Sequence, residues 1–363
     1  MKIKIFSDQQ FLHHDMEPDP IHYPFWLETQ NSSKYSWLNL YDKYIDVGHT
    51  IFESADIEEA DFAVMPPNWR TIRGDSWRSK INQNAEHLGI QFSQVVKRAN
   101  KPLIVFFSGD CSDEDIPMKD AIVFRQSAYC SRFKANDFSL PAFCEDAIEF
   151  YFDNQLPVRH KQEKPIVGFC GFLRSDSFKR KIQTALYYVI TLVTRGRVGV
   201  SPYKGEILRS NAIELLSKSH SVETNFLIRR SQVFFENSNL EYKQKVRSEF
   251  VQNIIGSDYV LCCRGSGNYS IRLYETLACG RIPIFIDTDC VLPYDFAIDW
   301  KKYCVWIDEN DLPNIAEKIA DFHEKLSAEE FIDLQYNCRK LWKEWLSPEG
   351  FYSNLYRHFG LSN

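Results

Sequence analysis

The chain has 363 residues, of which 44% are hydrophobic, 25% charged and 15% aromatic. That is too long for one ordinary core and too apolar to stay unfolded, so two α/β domains are expected and extended disorder is excluded. A net charge of −6 argues against a general nucleic-acid coat or a polybasic membrane binder, although a local basic pocket can hold phosphate inside an acidic protein.

The first residues, Met1-Lys2-Ile3-Lys4-Ile5-Phe6, open as a strand rather than as a basic segment followed by a long apolar run, so no secretory signal is read. Further strands are expected at 62–65, at Leu103–Phe107 and at 122–124, because short apolar runs end there in proline, glycine or polar residues. Between them Ile81, Ala85, Leu88, Phe92, Val95, Val96 and Ala99 recur at three- and four-residue steps and predict a helix over 79–100. The segment 156–165, polar and bracketed by Pro157 and Pro165, reads as a linker. The alternation then restarts, with strands at Ile166–Phe172, 259–263 and 282–286 and helices at 177–192 and 269–279. The domains are set at 1–160 and 161–363, with helices of the tail packing back across both halves. No run approaches the roughly 20 apolar residues that a membrane span requires. The ten cysteines show no repeated paired spacing, which suits reduced, buried thiols in a cytoplasmic protein without a zinc site or disulfide framework.

The segment from Val260 to Gly280 carries the most chemistry. A buried strand runs into Arg264-Gly265-Ser266-Gly267-Asn268-Tyr269-Ser270, and this loop opens a helix whose first backbone N–H groups are unpaired, an arrangement that attracts anions. Arg264 and Arg272 add fixed positive charge, while Ser266, Asn268 and Ser270 offer caps or further donors. Glu275 lies three residues after Arg272, so both project from nearly one helical face; a carboxylate there can accept hydrogen bonds from the hydroxyls of a ribose. The plainer reading of Arg272 and Glu275 is a surface pair worth about 0.3 kcal/mol.

The series Arg264-Gly265, Ser270, Arg272, Glu275, Gly280, Ile282-Pro283-Ile284 and Asp287, continuing through Leu292-Pro293 and Ile298-Asp299-Trp300, resembles the exostosin family of glycosyltransferases. Ala60 to Pro66 and Gly168-Phe169-Cys170-Gly171 are similar to that family's earlier strands, so the resemblance covers roughly 60–307. Cys263 departs from it, standing where the family often has proline. The resemblance implies a GT-B fold, α/β with two Rossmann-like domains whose mostly parallel sheets face a central cleft. It implies inverting, metal-independent transfer from a nucleoside-diphosphate sugar, UDP-linked by expectation, to a hydroxyl of a glycan, polysaccharide or lipid-linked saccharide. The first domain would serve the acceptor and the second the donor.

Charge growing on the leaving diphosphate can be met by arginines and a helix terminus. Arg264 and Arg272 are the first choices, with Arg174 or Arg180 from Gly171 to Lys181 as a third. Inversion also needs a base from the first domain. Asp110, after the strand ending at Phe107, and His13, in His13-His14-Asp15 after the first strand, are the positional candidates, each equally readable as a turn or cap residue. Asp287 and Asp289 could contact sugar hydroxyls or simply finish a strand. Two rival readings remain open. One is a nicotinamide-dependent oxidoreductase, since Gly265-Ser266-Gly267 followed by Asp287 approximates a dinucleotide fingerprint. The other is a non-catalytic nucleotide- or glycan-binding module. No nucleic-acid partner, metal or membrane span is expected, and peripheral membrane contact is left open.

Overall fold

The computed structural model describes residues 2–26, 40–173, 177–195, 200–229 and 239–359. Two sheets organise them. The first runs β2-β1-β3-β4-β5-β6 and consists of β1 (Ile3–Phe6), β2 (Phe52–Ser54), β3 (Phe62–Val64), β4 (Leu103–Phe107), β5 (Ile122–Arg125) and β6 (Asp137–Ser139). The second runs β11-β10-β9-β7-β8, from β7 (Ile166–Phe172), β8 (Glu223–Arg229), β9 (Tyr259–Cys262), β10 (Ile282–Asp287) and β11 (Val305–Asp308). Every strand pairing within them is parallel.

Parallel strands need crossovers, and helices supply them: α1 (Asp42–Ile51), α2 (Trp69–Arg73), α3 (Gln83–Arg98) and α4 (Ala147–Phe152) in the first half, then α5 (Ser177–Arg195), α6 (Lys204–Lys218), α7 (Leu240–Ile255) and α8 (Ile271–Ala278). The helix read at 79–100 is thus present and shorter. Asn82 caps it by accepting from Ala85 N–H, Ala85, Phe92 and Val96 are buried along its stripe, and it stops before Asn100, whose φ of 54° a helix cannot hold. In both sheets the first strand lies between the second and the third. This order reverses direction at β1/β3 and at β7/β9, the switch points where open α/β sheets leave a crevice at their carboxyl ends. The α/β class with two parallel, Rossmann-like sheets expected of a GT-B protein is therefore what the chain adopts.

The halves share their largest core. After α9 (Ile315–Lys325) and α10 (Ala328–Leu341), which cover the second sheet, a π-helical stretch (Trp342–Leu346) leads through Ser347 into α11 (Pro348–Ser353), which lies on the first. There Tyr352 packs against Tyr44 at 4.2 Å between ring centroids, and Phe359 against Phe62 at 5.3 Å.

Asp19 is buried under this layer and accepts from Ile21 N–H and Asn68 Nδ2. Burial raises its carboxyl to about 7 despite these bonds. A carboxyl more basic in the folded than in the unfolded chain gives stability that is full below about pH 4 and is lost as pH rises through 7. Asp19→Asn is expected to remove that part of the pH dependence, which amounts to ~1.4 kcal/mol per pH unit across the window. Melting curves of both proteins at pH 5 and pH 7.5 check it: the wild type loses more than the variant.

Candidate active site

The carboxyl ends of the two sheets face each other, and the loop after β9 crosses from one to the other. Its backbone amides do not form an open cradle. Gly265 N–H bonds within the loop to Tyr269 O at 3.1 Å. Gly267 N–H donates to Asp110 Oδ1 at 3.1 Å and Asn268 N–H to Ser127 Oγ at 2.7 Å. Of the donors expected to face a diphosphate, those of Gly267 and Asn268 are thus taken by loops of the first sheet, and that of Gly265 is taken within its own loop. The physical reason is proximity: a Cβ at Gly267 would stand 2.8 Å from Asp110 Cα, so only glycine lets the two backbones approach. Gly267→Ala is expected to cost about 1–3 kcal/mol of stability through forced separation of the halves, as overpacking does; denaturant titration measures it.

Arg264 and Asn268 belong to the same clasp. The Arg264 guanidinium is buried and donates to Tyr129 OH (2.9 Å), Asn268 Oδ1 (3.0 Å) and Ser266 O (2.8 Å). Asn268, fully buried, donates from Nδ2 to Ala128 O at 2.9 Å and accepts from Thr288 Oγ1 at 2.6 Å. Ser270 is the N-cap of α8, but its side chain makes no cap hydrogen bond. Gly265 has open space where a Cβ would stand; the close approach falls at Gly205 of α6, whose Cβ would meet Arg264 O at 2.3 Å.

Arg272 stands apart from this clasp. Its Nη2 donates to Cys170 O at 2.8 Å, near the carboxyl end of β7, and its guanidinium lies over the Phe169 ring at 4.4 Å. Its Nε is buried without a partner, and so is Nε of Arg209 from α6. Among the described residues Arg209 donates to Phe172 O and Arg264 O, both at 3.4 Å. Neither guanidinium meets a carboxylate among the described residues. Burial, with the Arg209 charge beside it, pulls the Arg272 guanidinium below its ordinary value. The two like charges thus lie side by side at the sheet's switch point, each with a buried Nε that has no partner.

Glu275 is held next to them: Arg247 of α7 donates to its Oε1 at 2.6 Å and to Glu145 Oε2 at 3.0 Å. Burial alone would lower the Arg247 guanidinium, but the two carboxylates push it well above its usual value. Arg209 and Arg247 have no place in the sequence motif; they arrive from α6 and α7, and no local pattern announces them.

Of the remaining positions, Arg180 pairs with Glu206 at 2.6 Å, facing Tyr203 rather than Arg272. Asp287 accepts from Cys290 N–H at 3.0 Å and closes the turn after β10, while burial raises its carboxyl. Asp289 reaches the segment between β5 and β6, receiving Cys130 N–H on its carbonyl at 2.9 Å and Ser131 N–H on its carboxylate at 3.2 Å. Arg174 lies outside the described residues.

Asp110 and Ser266 line a cavity of about 210 Å³ between the halves, with Trp77, Tyr129, Tyr187 and Tyr203 also on its walls. Burial raises the Asp110 carboxyl against the lowering effect of Gly267 N–H and the Tyr269 hydroxyl. His13 is outside this wall; half-buried itself, it lies with the exposed His14 and Asp15 in a local cluster whose ligand atoms fall within 4.8 Å of one another.

Two parallel sheets with the carboxyl ends of their switch points at a shared cleft define the doubly wound α/β class in which ligands bind at that crevice. Residues 190–321 match the Exostosin GT47 domain. Over 201 residues it is 25% identical to Exostosin-1 of Drosophila melanogaster, covering 53% of this chain and 24% of that one. Over 80 residues it is 31% identical to the Probable beta-1,4-xylosyltransferase IRX10L of Arabidopsis thaliana, covering 22% and 19%. The chain thus spans a quarter or less of these relatives. Among solved structures, S. aureus TarM in complex with UDP covers 89% of this chain and 54% of its own, at 13% identity and a TM-score of 0.36.

Proposed function

We propose that the chain transfers a sugar from a nucleoside-diphosphate donor, UDP-linked, to a hydroxyl of a glycan or lipid-linked saccharide, with inversion and without a metal, in the reducing cytoplasm. The observation that carries the reading is the pair of arginines, Arg272 and Arg209, whose buried Nε atoms have no partner and whose guanidinium groups meet no described carboxylate at the β7/β9 switch point. A diphosphate supplies the missing negative charge, and charge that grows on it as the anomeric bond breaks strengthens the same contacts.

Glu275, oriented by Arg247, takes the ribose hydroxyls one helical turn further along. Asp110 serves as the base: it lines the cavity on the acceptor side, and a raised carboxyl is better suited to accept a proton near neutral pH than an ordinary one. The acceptor oxygen then attacks the anomeric carbon from the face opposite the diphosphate, its proton passes to Asp110, and the nucleoside diphosphate leaves.

Thermal melting with a panel of nucleotides tests the reading, because a ligand that binds only the folded state raises the midpoint by mass action. Uridine diphosphate at about 100 times its dissociation constant adds ~2.7 kcal/mol, and nicotinamide dinucleotide adds nothing. The reverse order would favour the oxidoreductase. Donor consumption in the presence of a chelator is expected to equal that without one, and a strict manganese requirement would refute the arginine mechanism.

A further inference from the structure

The helix α5 is built with its polarity reversed. At about 100° per residue, Phe178, Ile182, Leu186, Val189 and Val193 fall on one stripe, and all five are exposed, from 55% at Ile182 to 72% at Phe178 and 79% at Val193. The opposite side, which faces the protein, is polar. There Arg180 pairs with Glu206, Thr184 Oγ1 lies 3.1 Å from Ser201 Oγ, and Tyr187 meets Trp77 edge-on at 5.2 Å between centroids. A surface helix ordinarily turns its apolar side inward.

Charge identifies what covers the outer side. The sequence of α5 contains no Asp or Glu, although the whole chain is acidic. Lys179 and Lys181, both exposed, fall on either flank of the apolar stripe. An apolar strip edged by lysines matches a bilayer interface, where the side chains enter the acyl boundary and the ammonium groups stay among anionic headgroups. No described helix is long and apolar enough to cross a membrane, so α5 would lie in the plane of the surface. Its inner side, through Tyr187 and Thr191, forms part of the wall of the cavity that contains Asp110.

We propose that α5 docks the protein on the surface of a bilayer containing anionic phospholipid, which brings the cavity beside the headgroup layer. The inference does not depend on the transferase reading. A failure of nucleotide binding would leave it standing, and a failure of vesicle binding would leave the arginine site standing.

The test is sedimentation of the 363-residue chain with vesicles. Binding is expected to phosphatidylcholine vesicles with about one quarter phosphatidylglycerol, and to be much weaker with phosphatidylcholine alone. The double variant Leu186→Glu/Val189→Glu is expected to lower partition onto the mixed vesicles by about tenfold or more with an unchanged melting temperature, since both side chains already face water. Lys179→Glu/Lys181→Glu is expected to abolish the preference for anionic lipid. Equal partition of wild type and the Leu186/Val189 variant would overturn the proposal. So would a dimer in ultracentrifugation that the same variant disperses, with no vesicle binding, because a second copy would then be the occupant.

Discussion

Replacing Arg272 with leucine is expected to raise the melting temperature of the free protein while abolishing its stabilisation by uridine diphosphate. The two effects have one cause. The wild-type guanidinium is desolvated beside Arg209 with its Nε unpartnered, and relieving an uncompensated buried charge returns free energy that the Cys170 carbonyl contact and the Phe169 ring only partly supply. A gain of about 1 kcal/mol is expected, together with a loss of turnover of roughly 10²- to 10³-fold, the usual effect of deleting one transition-state charge contact. Scanning calorimetry with and without nucleotide separates the outcomes. A lower midpoint with the nucleotide shift retained would make Arg272 a structural residue.

The second large effect belongs to Arg247. Its guanidinium bridges Glu145 and Glu275, with all three side chains no more than 13% exposed. Arg247→Met fills most of the volume but strands two carboxylates with each other, and breaking a buried ion network from one side costs about 3–5 kcal/mol. The burden should depend on pH. Burial already raises the Glu145 carboxyl, and without Arg247 it rises further. A carboxyl raised in the folded state contributes stability at low pH that is lost as pH climbs past its folded value. The variant should therefore approach the wild type in acid and fall away from it toward neutrality. Urea unfolding at pH 5 and pH 7.5 measures the gap, and a gap that stayed constant would show that Glu145 does not titrate in response.

How much of this could be read from the residues depends on how local each signal was. Strands buried on both faces, such as Leu103–Phe107 and Ile282–Asp287, announce themselves as unbroken apolar runs. The three-residue strands Phe52–Ser54 and Asp137–Ser139 do not, and Glu223–Arg229 sits at the second sheet's edge with a mostly exposed pattern. The glycine loop was legible as a special backbone, but its partner was not. The same small residues that let a phosphate approach also let another domain approach, and Gly267 meets Asp110. Arg272 and Glu275 could be found from their spacing on one helix. Arg209 and Arg247 could not, because parallel crossovers bring α6 and α7 beside α8 from 63 and 25 residues away, counted from Arg272 (272 − 209 and 272 − 247).

The closing helix α11 has a consequence for biosynthesis. Tyr352 and Phe359 complete an aromatic layer over Tyr44 and Phe62, so the first sheet lacks part of its cover until residues 348–359 have emerged from the ribosome. Amino-terminal domains usually fold while the rest is still being translated. Here the first half is expected to keep an aromatic surface exposed until those residues arrive, so the 363-residue chain is expected to refold with less aggregation than one truncated before residue 348.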